Sequence, residues 1–414
     1  MSMLLNQCSP APRPTDIVPI DQTRFSRQLP QDAVTLRWQR LLNLTCREIL
    51  NVWRYADDGP EVHGDFLDYG YLENNTKSGE FGPETKGGIR PAAQNAYTIA
   101  VAIFTGAYEE SITGVPIGEA LDFSLTIVKS LAQDHLSNGG IGHPWGDQWQ
   151  SAQWASKTAV TGWLLWDHLS PSDRTSVAKM MVSEADRFID LQAPAANGNY
   201  KMNTHAEENG WDATGIQTAC AMLFRHPNRN LWMDKLYEYR LTALATPADS
   251  LNHKLMRGRK VSEWITGYNI DSLGGLGNHQ AYPHPDYMAA PLRHTIEGSL
   301  FFKLADLDIP EVNSFNCHLI YNNFCNYNWN DSSTIFREDG TIYWPIDIES
   351  DRRFEFQTFG IIDLGAQVLG YDLDPHPLGA YYEEKHTEKA LEMQLTGFTA
   401  ASAYLWRWLN FQEN

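Results

Sequence analysis

The chain has 414 residues, a formal net charge of −19 at pH 7, and a composition that is 43% hydrophobic and 20% charged. A protein that grips a phosphate backbone carries a basic stripe; Lys and Arg form no run here, so no nucleic-acid partner is expected, and long-range repulsion disfavours a densely sulfated polyanion. No stretch approaches the ~20 apolar residues of a membrane span, and Met3–Leu5 falls short of the about 7–15 apolar residues of a secretory core, so a cytoplasmic protein without a membrane partner is expected.

Residues 1–33, rich in Pro and polar side chains, read as an extended arm, and residues 34–414 as a single domain without a composition break. Val34, Leu36, Trp38, Leu41, Leu42, Ile49, Leu50 and Trp53 recur at helical spacing. Residues 55–90 form a long loop dense in Gly, Asp and aromatics, a length more often functional than idle. Arg90 closes it as a candidate anion contact.

Helical segments then follow at Pro91–Tyr108, Pro116–Leu136, Trp149–Leu169, Pro171–Leu191, Glu208–Phe224, Asn230–Leu244, Asp286–Leu307, Val312–Asn326, Phe356–Leu369 and Thr387–Leu409. Ser170 before Pro171, with Asp173 in the first turn, is a helix start. Only Thr341–Ile346 alternates like a strand. The fold class is therefore all-α. The series of helices with long polar loops between alternate pairs points to an (α/α) toroid, either an incomplete or a six-hairpin barrel. Five cysteines, Cys8, Cys46, Cys220, Cys317 and Cys325, show no C-x-x-C spacing and read as reduced thiols packed as small apolar residues.

Four clusters mix aromatics with His, Asn and acids. In residues 143–154, Trp149, Ala152, Ser156, Ala159 and Trp163 follow a helical stripe of core character, and Gln150 and Gln153 lie off it, placed to meet ligand hydroxyls. Residues 203–211 combine Asn203, His205, Glu207, Glu208, Asn209 and Trp211 at a helix mouth. His205 and Glu208, three apart, would share a face, and a carboxylate beside an imidazole raises its basicity. A simple dipole partner is the bland alternative for Glu207. Residues 278–287 carry Asn278, His279, Tyr282, His284, Asp286 and Tyr287 behind Gly274–Gly277, whose glycines allow close approach of backbone to a ligand. His279 and His284 lack a third ligand at a recognisable spacing, so no metal or other cofactor is expected. In the fourth cluster Trp344 is a stacking surface, and Arg352 or Arg353 is a bidentate carboxylate contact or part of a charged surface turn.

No G-x-S-x-G elbow, P-loop or dinucleotide fingerprint is present. Paired carboxylates for glycoside hydrolysis are available in Glu207, Glu208, Asp286 and Asp147. The concentration of His, Tyr and Asn suits removal of a proton next to a carboxylate, and hence β-elimination.

The strings W-x-x-x-W-Q-S-A-x-W-A, N-T-x-A-E-E-N-x-W and N-H-x(4)-H-P-D-Y-M, with Lys86-Gly-Gly-Ile-Arg90 and Trp344-Pro345, resemble the heparinase II/III-like branch of polysaccharide lyases over residues 85–370. The resemblance implies an (α/α) toroid and β-elimination at a uronic acid. Asn or Glu would neutralise the carboxylate, and His and Tyr would serve as base and acid. It singles out Asn203, His205, Glu208, His279, His284 and Tyr287, with Tyr268 and Tyr282 in reserve for the acid role. The β-sandwich that follows the toroid in that family has no counterpart in the 414 residues, and with the acidic balance this points to a short uronide or another small molecule. The alternatives are a toroid cyclase, dehydratase or isomerase on a largely apolar intermediate, a glycoside hydrolase, and a carbohydrate-binding protein without catalysis.

Overall fold

The computed structural model describes residues 16–26, 28–55, 61–63, 66–68, 89–140, 144–202, 205–278, 280–330, 333–347 and 355–413. Among them the chain is all-α. The longer helices are α1 (Ala33–Tyr55), α2 (Ile89–Thr105), α3 (Ile117–Asp134), α4 (Ser151–Leu164), α5 (Pro171–Asp186) and α6 (His205–Met222). They continue as α7 (Arg229–Leu244), α8 (Pro285–Leu304), α9 (Cys317–Asn326), α10 (Phe356–Val368), α11 (Gly379–Glu392) and α12 (Thr399–Glu413). Strands are confined to two short two-stranded ribbons. No described helix is long and apolar enough to cross a membrane.

Local signals explain several boundaries. Ser170 Oγ accepts from the Asp173 amide and the Asp173 carboxylate bonds back to the Ser170 amide, a capping box in front of Pro171. Some expectations need correction. Thr387–Leu409 is two helices: Gln394 turns to φ 49°, the Leu395 amide bonds back to Ala390, and Gly397 donates to Thr45 Oγ1 of α1. Thr341–Ile346 is no strand of a sheet, because its pairing reduces to an isolated bridge between Phe336 and Ile342. Trp149 lies outside α4, which starts at Ser151 behind Gln150 at φ 62°, and Trp149 is 45% exposed.

Burial divides the helices into two kinds. All fourteen residues of α4 are buried, and all but Asp286 and Lys303 in α8. By contrast, α5 buries one face of its sixteen residues. A helix with no exposed side is surrounded by protein. Accordingly α2 packs on α4, α4 on α6, α6 on α8, α8 on α10, α10 on α12, and α12 on α2. Outside them, α3 lies against α2 and α4, α5 against α4 and α6, α7 against α6, α9 against α8, and α11 against α10. Helix α1 spans α2, α11 and α12.

Seven of the fourteen indoles, those of Trp38, Trp145, Trp154, Trp163, Trp232, Trp406 and Trp408, are fully buried, so half of the Trp content is deep core. The described cysteines, Cys46, Cys220, Cys317 and Cys325, are free and buried. Residues 16–26 lie across the far ends of the surrounded helices, and Gln28 follows them. The Val18 amide donates to the Met222 carbonyl at 2.9 Å and the Val18 carbonyl accepts from Trp163 Nε1 at 2.8 Å. Arg24 donates to the Leu304 carbonyl, and Ser26 and Gln28 hold Gln412. The C-terminal ends of α4, α6, α8 and α12 therefore share one side of the molecule.

Candidate functional site

The opposite side gathers the N-termini of the same helices. Arg90, in the first turn of α2, donates to Gln150 Oε1 in front of α4 at 3.3 Å and lies 5.5 Å over the Trp211 ring of α6. Trp149 Nε1 donates to Glu208 Oε1 at 3.2 Å, and its ring meets Trp211 edge-on at 5.5 Å. Glu208 Oε2 lies 2.8 Å from His205 Nδ1, so the pair expected from the i,i+3 spacing forms.

The segment before α8 joins this group through the approach to α6. The Gln280 amide donates to the Lys201 carbonyl at 3.0 Å, and the Tyr200 and Tyr282 rings are 6.3 Å apart. His284 caps α8, its ring 4.7 Å from that of Tyr287 and 6.1 Å from that of Trp344. Two segments 73 positions apart, opening at Tyr200 and at the 273–284 loop, thus border one region, and Trp344 closes on it from a third.

The glycines before α8 act differently from the expectation. A Cβ on Gly277 would sit 2.1 Å from the Ala281 carbonyl and 2.9 Å from that of Tyr200, and one on Gly274 would meet the Leu319–Ile320 backbone. They let the chain approach itself, not a ligand. Tyr282 is likewise committed, its hydroxyl donating to the Asp271 carboxylate; burial, then that hydrogen bond, raises its pKa. Asn209 is buried with Nδ2 on the Pro194 carbonyl at 2.9 Å, a tie that holds the entry to α6. Tyr268 exchanges backbone contacts with Asn197, and its hydroxyl faces Gly198. Asn278 is buried, its backbone bridged to Ala281. Asn203, His279 and Arg353 lie outside the described residues.

Cations at this end are gathered on and around the helix N-termini. Each helix N-terminus carries roughly half a positive charge. Burial, then the nearby charge of Arg293, lowers the Arg90 pKa to about 10 against the opposing pull of Glu207, Asp286 and Tyr287. His294 on α8 faces Trp211 at 5.6 Å; burial drives its pKa well down, and Arg293, Arg240, Lys157 and Arg90 push the same way. Burial brings Arg240 down to about 9. His205 moves the other way, because its hydrogen bond to Glu208 favours the imidazolium over the opposing effect of burial.

Gln153 Nε2 and Oε1, Arg293 Nε, His294 Nδ1 and Glu297 Oε2 are buried without a hydrogen-bond partner. Native interiors pair nearly all such atoms with protein, water or ligand, so these mark a polar interior prepared for solvent or a ligand. Among the described residues no group of three His, Cys, Asp or Glu is gathered for a metal ion.

Lys157, Arg293, His294, Glu297 and Asp212 were absent from the sequence-derived set. The available signal was ionisable residues in the middle of otherwise apolar helices, S-A-Q-W-A-S-K-T-A-V in α4 and P-L-R-H-T-I-E-G in α8. In a helix buried on every side such residues need internal partners. Comparison with family models, with curated proteins and with solved structures returns no match to this chain.

Proposed function

We propose that the chain is a carbon–oxygen lyase built on an (α/α) toroid, acting by β-elimination on a uronic-acid-containing oligosaccharide. The unbroken circuit α2–α4–α6–α8–α10–α12, with the remaining helices outside it, supports the toroid reading. The observation that carries the chemistry is the position of Arg90. It is held by Gln150 and the Trp211 face, within electrostatic reach of Tyr287, in a chain of net charge −19.

A uronate carboxylate would pair with Arg90, backed by Arg293 and the helix N-termini. That charge stabilises the electron density that builds on the carboxylate as the adjacent C5–H bond breaks. The His284 imidazole takes the proton, and the C–H electron pair becomes the C4=C5 double bond. The C4–O bond breaks with its pair leaving on oxygen, and the Tyr287 hydroxyl protonates that oxygen. Return of the proton from imidazolium to phenolate resets the pair. His205, held by Glu208, is a second proton acceptor at the mouth.

Incubation with a panel of 4-linked uronide oligosaccharides tests the proposal. The expected result is a rise in near-ultraviolet absorbance and an unsaturated product by mass spectrometry. A panel giving neither would overturn it. The aromatic wall of Trp149, Trp211 and Trp344 favours one other reading, a cyclase or isomerase of an apolar intermediate. That reading requires turnover insensitive to loss of Arg90.

A further inference from the structure

A cleft of about 280 Å³ opens beside Arg90, between the entry to α4, the end of α5 and the first turns of α6. Its size falls just below the roughly 300–1,000 Å³ of sites for drug-sized ligands, which suits one ring better than an extended chain. Trp149 and Trp211 line it, and Trp149 is 45% exposed although it lies at the edge of a buried helix. An exposed indole face beside a cleft is a stacking surface for the C–H face of a sugar.

The polar lining is the second observation. Gln148 Nε2, Gln150 Nε2 and Trp211 Nε1 all belong to cleft-lining residues, and each is sealed from solvent without a hydrogen-bond partner. Gln150 is 2% exposed and Trp211 4%. A buried donor without an acceptor costs free energy, and three at one cleft call for a ligand rich in acceptors. Glu208 and Asp212, one helical turn apart on α6, supply acceptors for ligand hydroxyls, and Arg187 is the cation that faces them, 3.7 Å from Asp212. Two carboxylates against one guanidinium disfavour an anionic ligand.

We infer that this cleft is a binding site for an uncharged sugar ring, stacked on Trp149 and hydrogen-bonded by Gln148, Gln150 and Trp211. Gln150 joins it to the Arg90 site: its Oε1 accepts from Arg90, and the residue lines the cleft. The inference extends the proposed function to an adjoining subsite, and it is read by binding alone, so a failed lyase assay and a failed binding assay are separate results.

The test titrates the full-length protein with methyl glycosides and disaccharides of neutral hexoses and pentoses, and with glucuronic acid, by tryptophan fluorescence and calorimetry. At least one neutral sugar is expected to bind and to perturb the fluorescence. Trp149→Ala, at an exposed position, should weaken it by about tenfold or more with the thermal transition kept. Gln148→Met removes an unpartnered donor; it should weaken binding while leaving the melting temperature of the free protein unchanged or higher, an outcome a merely structural glutamine would not give. Absence of neutral-sugar binding at millimolar concentration, unchanged affinity in both variants, or tighter binding of glucuronic acid that is lost in Trp149→Ala would each overturn the inference.

Discussion

Lys157 Nζ lies 3.1 Å from Glu297 Oε1, and neither side chain has any exposure to solvent. Burial lowers the lysine pKa and Glu297 opposes it; the Tyr97 ring 4.2 Å away and the Ser402 hydroxyl, which donates to Glu297, complete the surroundings. Removing one member of such a pair leaves a buried charge uncompensated, a loss of about 3–5 kcal/mol. Glu297→Leu and Lys157→Met should each fall in that range by urea denaturation. The double variant should recover most of it. Additive losses would mean that the two side chains act independently.

Asp212 gives a pH dependence of stability. Burial pushes its carboxyl up to about 7, Glu184 and Glu208 push the same way, and Arg187 opposes them. A folded pKa above the unfolded value of 3.8 contributes stability that is fully present below about pH 4 and is lost as pH rises through about 7. Asp212→Asn should therefore raise the melting temperature at pH 8 relative to the parent, with the gap much narrower at pH 5. An equal difference at both values would show that Asp212 does not titrate in this range.

Glu184 behaves in the reverse sense. Its Oε1 accepts from His135 Nε2 and the Asp147 amide, its Oε2 accepts from the Ser151 hydroxyl, and Arg187 Nε forms an ion pair with Oε2 at 3.0 Å. Burial alone would raise its pKa, but the His135 hydrogen bond and the Arg187 charge outweigh it and the carboxyl is lowered. Its stability contribution is present above the ordinary carboxylate pKa of 4.5 and is lost as pH falls through the lower folded value. Glu184→Ala should cost about 3–5 kcal/mol at pH 7, measured by denaturation, with a smaller penalty in strong acid. Because this carboxylate pins the loop carrying Trp149 and Gln150, the variant's tryptophan emission should change as well.

His284→Ala and Tyr287→Phe test the proton-transfer pair. Loss of a positioned acid or base costs about 10²–10⁴-fold in rate, so turnover of any uronide found active should drop by that order. Tyr287→Phe keeps the ring packed against His284, and its circular dichroism should match the parent. Full activity in both variants would move the chemistry elsewhere.

The sequence carried the all-α class and the grouping of its polar-aromatic segments further than the detail within them. Ser170–Pro171 was legible because a cap is local chemistry. The pairing of His205 with Glu208 was legible because helical spacing is local too. The break at Gln394–Gly397 was not, since it depends on a left-handed turn and on a bond to Thr45 of a distant helix. Lys157 and Arg293 escaped notice because periodicity marks apolar stripes, and helices buried on every side have none. The roles of Gly274 and Gly277 were misread because a glycine's need for space does not reveal what fills it. Asn203, His279 and Arg353 fall on positions outside the described residues.

The segment of residues 16–26, with Gln28, ties together Trp163, Met222, Leu304 and Gln412, which belong to four different helices. During synthesis it leaves the ribosome before any of these anchors, and Gln412 follows Ser26 by 386 positions. It can dock fully only after the helices it spans have come together, so it works as a seal set over helices that are made after it. Protection of the Val18 amide from hydrogen exchange would then report completion of the whole assembly at a single position.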